Sequence, residues 1–431
     1  MSASLRRGWC PGALRPMETG DGLLVRLRIT GGIVPLATAE ALAEASRRFG
    51  NGILDLSARA NLQIRGVSDA TLPHLTDALA DLGLLDDEAE AEAVRNVLAS
   101  PLASLDPTAL LDVCSATLVL EQRLVSDPLF RNLPAKFCFV LDDCGATSLA
   151  EVAADIRFDA MMGSAGPLFR VSVGGTALAA RPVALCAPAE VPDVAARLVR
   201  AFLASRGTGP DAPRRMRDLL AGGADLPPAL AHANLPPWPT RSGDPEACIG
   251  LFHAGPLPVL GLGAPFGRLS AHGLARLAQE ATRAGASEVR LTPWRSFLVP
   301  HVDPERVPAM LNALAPFFIT RADDPRLAVA ACSGTPGCPR ASTPIQDDAA
   351  VLAPGARALA SRGVSLHLSG CPKGCAHPAP SRATLVAEAG RYGLVLDGTA
   401  QNRPVLQGLT LAKALAALQD MAAGRLPGAH A

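Results

Sequence analysis

CSGTPGC, from Cys332 to Cys338, and CPKGC, from Cys371 to Cys375, set five residues between the first two thiols, three between the second two and 32 between the pairs. If the two loops face each other, four sulfurs converge. Zinc ribbons and fingers use spacers of about two to four residues in both pairs, so the longer first spacer argues against zinc. The short ferredoxin runs do not match either. Both loops are rich in Gly and Pro, which allow tight turns and leave amides free to point at sulfide and thiolate. The pattern therefore predicts an iron–sulfur cluster on Cys332, Cys338, Cys371 and Cys375, with zinc or four incidental buried thiols as the alternatives. Cys10, Cys114, Cys138, Cys144, Cys186 and Cys248 show no paired spacing and read as mostly structural.

Outward from the cysteines, the chain looks duplicated. A strand-like run from Gly20 to Gly32, a helical TAEALAEASRRFG and a strand from Ile53 to Val67 match a run from Ile249 to Gly263, a helical SAHGLARLAQEATRAG and a strand from Glu288 to Val302. Both helices carry apolar residues at i, i+3 and i+4, a face that must cover a sheet. The copies also match at one end, Asp55-Leu56-Ser57-Ala58-Arg59 against Arg290-Leu291-Thr292-Pro293-Trp294. The organisation expected is a half-domain over 16–80, an α/β lobe over 89–204, a Pro/Gly-rich linker over 205–246, a second half-domain over 247–310 and a cysteine-bearing α/β lobe over 321–415.

At 431 residues there is material for several cores. Forty basic and 40 acidic residues cancel, so no global field recruits nucleic acid or an anionic membrane. No run reaches the length of a membrane span, and the N-terminus lacks a signal-peptide apolar core, so a cytoplasmic address is expected. No strand is followed by a convincing G-x-G-x-x-G fingerprint, so reducing equivalents are expected from an external donor or reductase.

Cys-x5-Cys followed by Cys-x3-Cys inside Ser-Gly-Cys-Pro-x-Gly-Cys resembles the 4Fe-4S motif of the sulfite and nitrite reductases, and the repeats resemble that family's ferredoxin-like half-domains. The resemblance implies an α+β fold with duplicated nitrite/sulfite reductase-like architecture: two ferredoxin-like half-domains plus two α/β lobes around a 4Fe-4S cluster. Ser57-Ala58-Arg59 is similar to the strand whose arginine faces the substrate, and Arg95-Asn96-Val97 to a second arginine motif. Leu133-Pro134-Ala135-Lys136-Phe137 is similar to the loop that normally supplies two lysines; the second lysine's place is Cys138. Trp294-Arg295-Ser296 also departs from the reductases' pattern.

With the opening RRGWCPGALRPMETGDGLLVRL, these departures resemble the cobalamin-pathway branch of the family, the precorrin-3B synthases. That resemblance implies an O2-dependent monooxygenase that hydroxylates precorrin-3A with lactone formation. It also implies a 4Fe-4S cluster and a mononuclear non-haem iron, with siroheme only in the alternative reading of a sulfite or nitrite reductase. A non-catalytic iron–sulfur or tetrapyrrole carrier is the reading from another class. Precorrin-3A carries many carboxylates, so Arg and Lys donors are needed. Arg59, Arg95 and Lys136 are expected to be catalytic, and Arg26, Arg28, Asn61, Gln63, Arg65 and Arg295 to bind substrate. The eight histidines show no ligand spacing, so no iron ligands are named.

Overall fold

The computed structural model describes residues 9–209, 211–223, 246–360 and 363–425. The first repeat comprises β1 (Met17–Thr19), β2 (Gly22–Leu27), β3 (Ile33–Pro35), α1 (Leu36–Phe49), β4 (Ile53–Leu56), β5 (Leu62–Val67) and α2 (Leu72–Asp81). The first lobe follows, with α3 (Ala89–Val94), β6 (Val97–Ala99), α4 (Cys114–Ser126), β7 (Phe139–Asp142), β8 (Ala154–Gly163), β9 (Gly166–Gly175), β10 (Arg181–Cys186), α5 (Val191–Ser205) and α6 (Met216–Ala221). The second repeat comprises β11 (Gly250–Ala254), β12 (Leu257–Gly263), β13 (Arg268–Ser270), α7 (Ala271–Arg283), β14 (Glu288–Leu291), β15 (Ser296–Pro300) and α8 (Val307–Leu314). The second lobe closes the chain with β16 (Val329–Ala331), α9 (Ile345–Arg357), β17 (Leu366–Ser369), β18 (Ser381–Glu388), β19 (Arg391–Gly398), β20 (Leu406–Leu409) and α10 (Leu411–Ala422).

The repeats complete each other. The first sheet runs β1-β2-β5-β4-β13 and the sheet of the second repeat β11-β12-β15-β14-β3, so each borrows its last strand from the other copy. Val34 pairs with Val289, and Leu269 with Leu54. Leu42 of α1 and Leu274 and Leu277 of α7 are fully buried in one core shared by both sheets. Burying a side chain of this size contributes about 1.5–3 kcal/mol, so neither repeat keeps its core alone. Gly50 ends α1 at φ −117°, outside the left-handed region; it is glycine because a side chain would run into the Arg65 carbonyl.

The lobes share a second plan. One sheet runs β10-β9-β8-β7-β6 and the other β16-β17-β18-β19-β20, in each case three parallel strands followed by two antiparallel ones. The parallel strands are largely buried on both faces, and the polar groups they carry, such as Arg157 and Asp159 on β8, are paired inside. A crevice outside the carboxyl ends of such strands is a natural binding place. Cys332 and Cys371 stand there, just past β16 and β17.

Part of the segment expected as linker is ordered structure: α6 lies within it, with Met216 and Leu219 buried in the first lobe's core. Residues 224–245 lie outside the described residues. No described helix is long and apolar enough to cross a membrane.

Candidate functional site

The cysteine loops are built from backbone contacts. The Cys332 N–H donates to the Leu368 carbonyl at 3.2 Å, which sets the first loop against the end of β17. The Gly370 N–H then donates to Cys332 Sγ at 3.2 Å. A Cβ on Gly370 would stand 2.7 Å from that of Ala341, so only glycine lets the loops approach this closely. Cys338 N–H closes the first loop on the Gly334 carbonyl at 2.7 Å, and Ser369 Oγ braces the second on the Cys371 carbonyl at 2.7 Å.

Burial pushes the Cys332 thiol up, against the pull of the Gly370 and Gly334 N–H groups, and Cys375 and Cys338 push it further. Burial also raises Cys375, which feels Lys373, Cys371, Cys338 and Lys136. The four sulfurs are thus within electrostatic reach of one another. Among the described residues no three His, Cys, Asp or Glu side chains close around a single ion. A four-thiol set spread more widely than a mononuclear site, with an amide aimed at one sulfur, fits a polynuclear cluster better than zinc. The same observation gives no triad for a mononuclear iron, and the described residues do not fit that group.

The first lobe holds the counterpart of this site without its ligands. Ser100 follows β6 as Cys332 follows β16, and Cys144 comes second after β7 as Cys371 does after β17. Asp106 and Ser148 keep the remaining spacings. The Asp143 N–H donates to Ser100 Oγ at 2.8 Å, the equivalent of the Gly370 bond to Cys332. Ser100 and Ser148 in turn donate to Asp142, and Asp106 accepts from the Ala146 N–H at 2.6 Å. Hydrogen bonds thus tie together loops that carry thiols in the second lobe. Only an alignment of the two lobes could have shown these positions in the sequence.

Facing the cysteine loops is a basic surface from the first repeat. Arg26 donates through Nε and Nη2 to Gln63 Oε1 at 2.9 and 2.6 Å and has no carboxylate partner among the described residues. Burial drives its pKa down to about 10; Cys10 opposes this, and Arg28 and Arg59 add to it. Arg28 is 5% exposed, reaches Glu92 at 3.3 Å, and leaves Nε and Nη2 unpartnered. Beside it is a recess of about 290 Å³ lined by Trp9, Cys10, Arg15, Arg28 and the 131–135 loop. Arg59 donates to the Lys136 carbonyl at 3.0 Å. Burial lowers the Lys136 ammonium pKa; Cys10 and Cys375 oppose this, while Arg59 and Lys373 add to it. Lys136 therefore bridges the basic surface and the cysteine loop. Asn61 closes the 57–61 hairpin through its backbone.

Three expectations change. Arg65 uses its N–H groups inside the protein, on Asp21, Asp55, Ser333 and Gly337, and is 1% exposed. Arg95 does the same on Asp86, Thr30, Glu121 and the Arg28 carbonyl. Neither has a donor left for substrate, so both position their neighbours. Arg295 belongs to the other repeat and donates to the Ala376 carbonyl at 3.2 Å, against the cysteine loop. Conversely Cys10, read as structural, stands within the field of Arg26, Arg28 and Lys136. Its lone position in the sequence gave no signal of this.

The second repeat shows why the basic surface exists once. Ser57 and Asn61 close one hairpin, Thr292 and Ser296 the other, by the same pair of bonds, with left-handed Ala60 and Arg295 in register. In that register Arg26, Arg28, Gln63, Arg65 and Arg59 correspond to Gly261, Gly263, Leu298, Pro300 and Trp294. A side chain at Gly261 would fall on the Cys248 carbonyl, and one at Gly263 would press on Ile319. Leu102, Cys248, Val259 and Leu298 fill the space with an apolar cluster.

Comparison with known proteins matches this geometry. The nitrite/sulfite reductase ferredoxin-like half domain matches residues 15–82 and 258–317, and the nitrite and sulphite reductase 4Fe-4S domain matches residues 90–221. A precorrin-3B synthase from Sinorhizobium sp is 38% identical over 93% of this chain and 85% of its own length. The chain belongs to the nitrite and sulfite reductase family, in its precorrin-3B synthase branch. The 4Fe-4S domain match falls on the first lobe, the copy without the four thiols, while the second lobe repeats its topology. A ferredoxin–nitrite reductase from Synechococcus elongatus is more distant, 28% identical over 89% of this chain and 80% of its own. The structure of the Mycobacterium tuberculosis NirA protein superposes with a TM-score of 0.75 at 20% identity, covering 94% of this chain and 82% of that one, a likeness of fold. As a member of this family the chain is an oxidoreductase of the iron–sulfur type.

Proposed function

We propose that this enzyme is an O2-dependent monooxygenase that hydroxylates precorrin-3A with lactone formation, in the manner of a precorrin-3B synthase. The observation that carries the reading is the place of Lys136, in the field of both Arg59 and Cys375. A polycarboxylate ring lying on the basic surface would have its edge beside the cysteine loop.

Cys332, Cys338, Cys371 and Cys375 would hold the 4Fe-4S cluster, which supplies electrons one at a time from an external donor. Arg26 and Arg28 bind substrate carboxylates, because Arg26 is half-buried with no carboxylate partner among the described residues and Arg28 is buried with Nε and Nη2 unpartnered. Gln63 holds the Arg26 fork in its orientation. Arg59 and Lys136 offer positive charge where negative charge builds during reduction. The mononuclear iron implied by the resemblance has no legible ligand set among the described residues, and no step is drawn through it.

The test is oxygen-free purification with iron, sulfide and zinc analysis and an absorption spectrum, followed by incubation with precorrin-3A and air. A broad brown shoulder with oxygen uptake and a hydroxylated product is expected. A strong Soret-type band would favour the siroheme reductase, and no oxygen uptake would favour a carrier.

A further inference from the structure

Behind the cysteine loop, away from the basic surface, lies a polar group that no substrate contact explains. Arg295 is half-buried and has no carboxylate within ion-pair distance among the described residues. The one carboxylate whose field it feels, Asp55, is already bonded to Arg65 and Arg268. Among the described residues its guanidinium's one hydrogen bond goes to the Ala376 carbonyl, one residue past Cys375. His367, on β17, is fully buried with both ring nitrogens unpartnered, and its Cε1 lies under Gly374. His377 meets it edge to face, ring centroids 6.0 Å apart.

A guanidinium drawn partly out of water with no carboxylate partner is stabilised by an anion placed near it. Resting on the cluster reading above, we infer that Arg295 is the counter-charge of the cluster: bonded to the loop at Ala376, it holds the reduction potential up. Four thiolates around an iron–sulfide core make a net anion in either oxidation state, and reduction adds another electron. A fixed cation behind the loop stabilises the reduced form more than the oxidised one. Net charge and neighbouring donors are known levers on such potentials. The first repeat has Ala60 at the equivalent place, beside the lobe that lacks the four thiols, so the arginine is not needed for the hairpin itself.

The test uses the full chain, reconstituted without oxygen and titrated electrochemically with EPR detection of the reduced cluster. Arg295→Met is expected to lower the midpoint by tenfold or more in the one-electron equilibrium constant, about 59 mV per tenfold, while Arg295→Lys stays within about threefold of the wild type. A Met variant that titrates like the wild type, or a Lys variant shifted as far as Met, would overturn the proposal. Should Arg295→Met fail to load iron and sulfide, Arg295→Gln replaces it, since the amide can still bond to Ala376. A Gln midpoint like the wild type counts against the counter-charge. Loading by the Lys variant alone supports it, and failure of all three overturns it, because shape rather than charge would be the requirement. A wild-type chain that holds no iron and sulfide would instead defeat the cluster reading itself.

Discussion

The Arg65 guanidinium donates to the Gly337 carbonyl at 2.8 Å, tying β5 of the first repeat to the loop between Cys332 and Cys338. The same side chain holds Asp21 at 2.7 Å and Asp55 at 2.9 Å, all but excluded from water. Breaking a buried pair by removing one partner costs about 3–5 kcal/mol, because the other charge stays behind. Arg65→Met should therefore lower stability by about that amount in a denaturant titration. It should also speed iron release from the loaded protein; an unchanged release rate would mean that the tie does not support the loop.

Arg26 and Arg95 should separate binding from stability. Arg26 carries no carboxylate, so Arg26→Met should leave the melting temperature level or raised while weakening precorrin-3A binding at least tenfold, about 1.4 kcal/mol. Arg95 is saturated by Asp86 and Glu121, so Arg95→Met should do the reverse and cost about 3–5 kcal/mol of stability. Calorimetric binding and thermal melting on both variants decide; a large binding loss at full stability for Arg95→Met would restore it to the substrate site.

In the first lobe, burial lifts the Asp143 carboxyl to about 7, with Asp142 and Asp106 adding to the rise and the Gly145 N–H and Ser100 opposing it. The folded protein then holds this proton more tightly than the unfolded chain. The contribution to stability is full below about pH 4, falls as pH rises toward 7 and stays lost above it. Asp143→Asn removes the titration while keeping an oxygen for Gly145, and should raise the unfolding free energy at pH 8 more than at pH 5, by about 1–3 kcal/mol, read by denaturant titration at both pH values. Equal effects at both pH values would show that Asp143 is ionised throughout. Burial raises Asp159 to about 6, so its slope has the same sign, and the two titrations belong partly to a shared network.

Ser100 and Cys332 are pseudo-equivalent but should fail differently. Ser100→Ala removes the acceptor of the Asp143 N–H and a donor to Asp142, costing about 1–3 kcal/mol with no change in iron or sulfide content. Cys332→Ser should lose the cluster and its spectrum. Iron and sulfide loss from the Ser100 variant would show that the two lobes are coupled rather than independent copies.

Much of the site was legible because cysteine pairs leave a spacing signal that survives without knowledge of the fold. Lys136 and Arg59 were expected from short motifs, and the structure sets Arg59 on the Lys136 carbonyl. Arg65 and Arg95 were misread because a basic residue on a strand or at a helix end looks alike whether it faces a ligand or a buried carboxylate; their partners Asp21 and Asp86 are local in space, not in pattern. Arg295 was assigned to the wrong face, since the repeat register fixes the hairpin but not which neighbour that hairpin meets.

From the amino-acid order alone came the two thiol pairs and the two repeats, which are written in short-range periodicity and spacing, and the family resemblance of the cysteine motif, which implied the α+β class. Only the folded chain showed the exchange of β3 and β13 between sheets, the first lobe as a copy of the second that keeps just one of its four thiols, Cys144, and a basic surface open in one repeat and plugged in the other. The reason is that these depend on which charges end up buried beside which partners, and burial is set by long-range packing that no local window of residues contains.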